Sequence, residues 1–149
     1  MKKSIQTLLL ATALLAPFSI SALAEEHIVN LLNKGADGTM MVFEPAFVRA
    51  AVGDTIKFVP VDKGHFVQNL PALWPEGVPD VKGQFNAELD VKLDKEGLYA
   101  FKCAPHFPMG MVALVQVGNA PVTDAVKAIN IPGPAGKRLA AELELAAKP

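Results

Sequence analysis

The run Leu98-Tyr99-Ala100-Phe101-Lys102-Cys103-Ala104-Pro105-His106-Phe107-Pro108-Met109-Gly110-Met111-Val112-Ala113-Leu114-Val115-Gln116-Val117 reads as a strand, a short loop and a second strand. A period of two places Tyr99, Phe101 and Cys103 on one face of the first strand, with Leu98, Ala100 and Lys102 on the other. Tyr99 and Phe101 are core residues by type, so Cys103 points inward at the strand's end. Pro105 and Pro108 stiffen the loop that follows. Val112–Val117 is almost continuously apolar.

Outward from this unit the chain continues as short strands separated by turns. His27–Leu32 ends at Asn33-Lys34-Gly35, Met40–Phe43 at Glu44-Pro45, and Phe47–Val52 at Gly53-Asp54. Thr55–Val59 and Leu89–Leu93 alternate, and Asp62-Lys63-Gly64 is a turn leading to His65. Strands and turns at this spacing predict an all-β antiparallel sandwich or barrel. Gln68–Gly83, rich in Pro and Gly and holding Trp74, reads as a loop crossing between sheets. Beyond Gly118, Thr123 or Asp124 caps a short helix ending near Ile129, residues 131–136 break it, and Lys137–Ala147 forms a second helix. The helices are too short for a separate domain and are expected to pack on one side of the sandwich.

The chain has 149 residues. Lys2 and Lys3, the apolar run Leu8–Phe18 and Ser21-Ala22-Leu23-Ala24 form a secretory signal peptide over residues 1–24, cleaved after Ala24. The apolar run is short for a membrane span, so the mature chain is expected to be exported and not inserted. Residues 25–149 then form a single domain, a sandwich over 25–118 with a helical extension over 119–149. Losing two lysines leaves 12 basic against 15 acidic residues, a net charge of about −3. No basic block suggests nucleic acid.

An exported chain with one cysteine cannot form an internal disulfide, so Cys103 is either inert or occupied by chemistry. Cys103, His106 and a methionine fall together in the stiff loop. Two imidazoles, one thiolate and a weak axial thioether make up a type 1 copper centre. Of the two remaining histidines, His27 lies near the mature start, whereas His65 follows a turn and opens a strand, where a ligand at the end of a loop belongs. His65 is therefore the expected second imidazole. Spacing alone leaves Met109 and Met111 both open as the axial ligand.

Leu32-Asn33-Lys34-Gly35, Met41-Val42-Phe43-Glu44-Pro45-Ala46, Gly53-Asp54, Val61-Asp62-Lys63-Gly64-His65, Cys103-Ala104-Pro105-His106 and Met109-Gly110-Met111 together resemble the pseudoazurins, plastocyanin-like cupredoxins. The resemblance implies an eight-stranded Greek-key β-sandwich with two short C-terminal helices. It implies one copper ion on His65, Cys103, His106 and Met111. It also implies a periplasmic single-electron carrier serving a copper nitrite reductase or another redox enzyme of denitrification, with a c-type cytochrome as a further partner and a monomeric state. Two residues depart from the pattern. Phe66 stands where these proteins usually have Asn, and Ala104 where they usually have Thr. Both remove polar groups that would brace the ligands. The unusual segment Pro71-Ala72-Leu73-Trp74-Pro75 is expected to reshape an edge of the docking face.

Electron exchange is expected through His106, inside an apolar patch of Met41, Pro60, Pro105, Pro108 and Met109. Lys34, Lys63, Lys82 and Lys102 are expected to ring it, steering the protein toward an acidic surface. An enzyme is disfavoured. Multicopper oxidases need histidines the chain lacks, and a thiol hydrolase needs an orienting Asn or Asp near Cys103. A copper chaperone or storage protein is the alternative, distinguished by whether metal is released when the redox state changes.

Overall fold

The computed structural model describes residues 23–149. The expected leader lies almost wholly outside the described residues. Eight strands form two four-stranded sheets: β1 Glu26–Lys34, β2 Met40–Glu44, β3 Phe47–Ala50, β4 Thr55–Pro60, β5 Val67–Asn69, β6 Leu89–Lys92, β7 Gly97–Cys103 and β8 Val112–Val117. The sheet orders are β2-β1-β4-β6 and β3-β8-β7-β5. Alternation drives the packing between them. Val29, Leu31, Phe43, Ile56 and Phe58 face Tyr99, Phe101, Cys103, Ala113 and Val115 in one buried core. Phe58 meets Phe101 across the sandwich with ring centroids 4.8 Å apart.

The sheets are mixed rather than antiparallel throughout, because β1 runs parallel to β4 and β3 parallel to β8. These parallel pairs join strands distant in sequence and need a crossover between the sheets. The crossover after β5 lies in the stretch expected to be a connecting loop. β5 itself overlaps the start of that stretch and pairs with β7. Trp74 stacks edge-on against Tyr99 and Phe101, with centroids 4.9 and 5.3 Å away, and its Nε1 donates to the Val78 carbonyl. Trp74 therefore serves the core, while Pro71 and Ala72 of the same segment are exposed.

β8 is buried along its whole length because both its faces are covered. Its outer residues Val112 and Leu114 pack with Leu98, Ala100, Ala135, Leu139 and Leu143 beneath the C-terminal helices. These helices are α1 Asp124–Lys127, capped by the Thr123 side chain, and α2 Gly133–Ala146. The segment 131–136 does separate the two helices, but its residues 133–136 also form the first turn of α2. Pro134 is tolerated there because the first-turn N–H groups have no partner inside the helix. No described helix is long and apolar enough to cross a membrane.

Candidate metal centre

Three donor atoms converge at one end of the sandwich. Cys103 Sγ lies 3.6 Å from His65 Nδ1 and 3.6 Å from His106 Nδ1, and the two nitrogens are 3.1 Å apart. A point in their plane stands about 2.0 Å from all three, the length of a metal–imidazole bond. Two imidazoles and a thiolate in a triangle of this size fit a copper ion of the type 1 class.

Each donor is placed by local structure. Cys103 ends β7 pointing inward, and its N–H donates to the Met111 carbonyl at 3.1 Å, closing the loop between β7 and β8. Inside the loop the His106 carbonyl accepts from Met109 N and Met111 N, and a 3-10 turn spans Phe107–Met109. Gly110 reverses the chain at φ +94, and a side chain there would press on Arg138 Nε and Pro134. His65 follows Gly64, whose φ of +103 turns the backbone beneath the His106 ring. Asn86 pins this turn twice, since its Oδ1 accepts from Gly64 N and its N–H donates to the His65 carbonyl.

Protonation states follow from burial and partners. His65 is fully buried, and burial first, then the neighbouring His106, lowers its pKa. Its Nε2 stands 3.1 Å from Asn33 Oδ1, an acceptor, so the proton sits on Nε2 and the Nδ1 lone pair faces Cys103. Burial pushes the Cys103 thiol up, opposed by the Phe66 and His106 backbone N–H groups. A thiol in this state gives up its proton only in exchange for a cation.

The two methionines separate by burial. Met111 is completely buried, whereas Met109 is 47% exposed in the 3-10 turn. At Phe66 and Ala104, which lack the expected polar groups, a 3.4 Å backbone bond runs from Ala104 N to the Phe66 carbonyl, and the Phe66 ring packs near Phe85. Of the expected docking residues, Pro105, Pro108 and Met109 are exposed beside half-buried His106, and Met41 and Pro60 are half-buried. Lys34, Lys63 and Lys82 are exposed. Lys102 lies over the Phe107 ring, 5.3 Å from its centroid. Lys82 and Lys102 flank Gln68 from its two sides.

Sequence reading missed two supports. Asn33 sits in a stretch read as a turn, although that stretch is one of those carrying the family resemblance. Arg138 donates to the carbonyls of Met40, Met41 and Gly110, tying α2 to β2 and to the metal loop. Its partners are 28 to 98 residues away, so no local signal marks it.

A family model described as copper binding proteins of the plastocyanin/azurin family matches residues 29–118. A pseudoazurin of Paracoccus pantotrophus is 48% identical over 134 residues, covering 89% of this chain and 92% of its own. The crystal structure of native pseudoazurin from Hyphomicrobium denitrificans is 50% identical with a TM-score of 0.77, covering 80% of this chain and 97% of its own. A refined pseudoazurin structure from Methylobacterium extorquens AM1 is 47% identical with a TM-score of 0.75, covering 80% and 98%. With this fold and this triad of donors, the chain belongs to the plastocyanin/azurin family of copper-binding proteins and, within it, to the pseudoazurins.

Proposed function

We propose that His65, Cys103, His106 and Met111 hold one copper ion, and that the mature chain carries single electrons in the periplasm between redox proteins. The observation that carries this reading is the triangle of Nδ1, Nδ1 and Sγ at the end of a rigid sandwich. Copper supplies the one-electron Cu(I)/Cu(II) couple. The chain supplies a donor set held by the same backbone bonds in either state, so little has to move when the electron arrives. Asn33 fixes the His65 tautomer, Asn86 fixes its loop, and burial keeps water from His65, Cys103 and Met111. Met111 would supply the thioether donor, since its side chain is buried in the same cluster as Cys103, whereas Met109 is exposed.

Electrons leave through His106, the one imidazole of the pair that reaches the surface. Met41, Pro60, Pro105, Pro108 and Met109 form the apolar contact around it. None of Lys34, Lys63, Lys82 and Lys102 is ion-paired among the described residues, which leaves their charge available to an acidic partner. A copper nitrite reductase of denitrification is the proposed acceptor, with a c-type cytochrome as a further partner and the carrier a monomer. The leader over residues 1–24 exports the chain and is removed after Ala24.

The test is a visible spectrum of the copper-loaded mature protein. An intense thiolate-to-copper band should bleach on reduction, return on oxidation and be absent in Cys103→Ser. A colourless wild-type protein after full loading refutes the ligand set. Release of the metal on reduction would instead identify a chaperone. Association with nitrite reductase should slow steeply as salt rises, and a rate insensitive to ionic strength removes the lysine ring from the mechanism.

A further inference from the structure

His27 is absorbed by neither the fold's core nor the copper triangle. It lies at the start of β1 with its ring Nε2 2.9 Å from Asp54 Oδ2. Its Nδ1 has no hydrogen-bond partner among the described residues. The backbone nitrogen of Glu25 donates to the other oxygen of the same carboxylate, also at 2.9 Å. Cleavage after Ala24 would turn that nitrogen into a free α-amine, with Glu25-Glu26-His27 as the new terminus. We infer that the mature amino terminus is a second metal site, in which the Glu25 α-amine, the backbone nitrogens of Glu26 and His27, and His27 Nδ1 hold one Cu(II) or Ni(II) in a square plane.

The spacing is what the chemistry requires. An amine followed at the third residue by an imidazole closes two five-membered rings through the backbone and one six-membered ring through the side chain. Four nitrogens in a plane suit Cu(II) and Ni(II). Binding releases three protons, one from the α-ammonium and one from each of two amides, so affinity rises with pH. Two of the donors are then anionic nitrogens. They hold the divalent ion too firmly for Cu(I) chemistry, so this site takes up metal without carrying electrons.

The fold prepares the site in three ways. Asp54 draws both ends of the chelate, the amine and the ring, to a single carboxylate that is 5% exposed. A metal-binding imidazole commonly donates its other N–H to a carboxylate, and Nε2 already has that partner. The strand end is also accessible. β2 pairs with β1 only over Asn30–Lys34, so residues 26–28 lean on β4 alone, and Glu25 and Glu26 are exposed. Chelation competes with the Thr55 N to Glu25 O bond and with the first pairs of the β1–β4 ladder. The site therefore forms by peeling back residues 25–27 and leaves the core in place.

The inference rests on cleavage after Ala24, and its test separates the two. Mass analysis of the exported protein first establishes where the chain begins. The chain beginning at Glu25, with its copper centre already loaded, is then titrated with Ni(II). One Ni(II) per chain should bind, with a yellow square-planar absorption and proton release, while the blue band stays unchanged as the control for folding. His27→Gln should lose the yellow species, and so should a chain retaining Ala24, in which the histidine becomes the fourth residue. A chain shown to begin at Glu25 that responds to Ni(II) no differently from these two variants overturns the site. An exported protein that begins elsewhere, or whose first amine is blocked, overturns it for the natural protein even where the synthetic terminus binds.

Discussion

Glu142 provides a quantitative test of the packing of the C-terminal helix. It is 5% exposed on α2, and its Oε2 has no hydrogen-bond partner among the described residues. It lines a cleft of about 430 Å³ with Arg138, Asp37, Glu44 and the apolar side chains of Val42, Phe43 and Val112. Burial pushes its carboxyl from the ordinary 4.5 up to about 9, with the Arg138 charge pulling the other way. Between those two values the folded chain holds a proton that the unfolded chain has released, so stability must fall as pH rises through this window. Each pH unit corresponds to about 1.4 kcal/mol. The loss accumulated by pH 7 is then roughly 3 kcal/mol, an upper figure because water entering the open cleft eases the burial. Glu142→Gln keeps the shape and has no proton to lose. Its stability, followed by denaturant unfolding of the copper-free protein, should match the wild type near pH 5 and exceed it increasingly toward pH 8. Parallel stability curves for the two proteins across that range would refute the assignment of a buried, protonated Glu142.

Met111→Gln should keep a coloured centre and lower its reduction potential, since an oxygen donor favours Cu(II) over Cu(I), at about 59 mV per tenfold change in relative affinity. Met109→Gln should leave the potential in place, and cyclic voltammetry of the two variants checks the axial assignment. Asn33→Ala leaves the buried Nε2–H of His65 without its acceptor. It should cost about 1–3 kcal/mol in denaturant unfolding of the copper-free protein and weaken copper affinity on the order of 10–100-fold in competition titrations. Arg138→Ala removes three bonds to backbone carbonyls and should cost about 2 kcal/mol. Faster hydrogen exchange at Gly110 and Met111 than in the wild type would show that the loosening reaches the metal loop.

Residues whose role is decided by their neighbours in sequence were readable from the sequence. β8 occupies the expected Val112–Val117, and the inward face of Cys103 follows from the alternation of Tyr99 and Phe101. The convergence of His65 with Cys103 and His106 was likewise anticipated, from the chemistry of the donor set and the turn at Gly64. β5 was readable only at its start: a strand opening at His65 was expected, but Gln68 and Asn69 fell in the stretch read as a loop, because three residues show no period. The parallel pairing of β1 with β4 was also hidden, since alternation reports which face is buried and not which strand lies alongside. Pro134 was read as a breaker because proline is one inside a helix, whereas in the first turn it is tolerated. Met109 and Met111 are alike in type, and their spacing from His106 does not choose between them. Their difference lies in burial, which emerges only when the loop closes on β8.

The three bonds of Arg138 also bear on how the domain divides. The shared family pattern stops at residue 118, and the side chain that clasps Gly110 comes from a helix twenty residues further on. The tail is therefore not a detachable ornament on a self-sufficient sandwich. A relative that kept the strands and discarded the helix would inherit the donors without the clasp, and would need some other fastening for the loop that carries them.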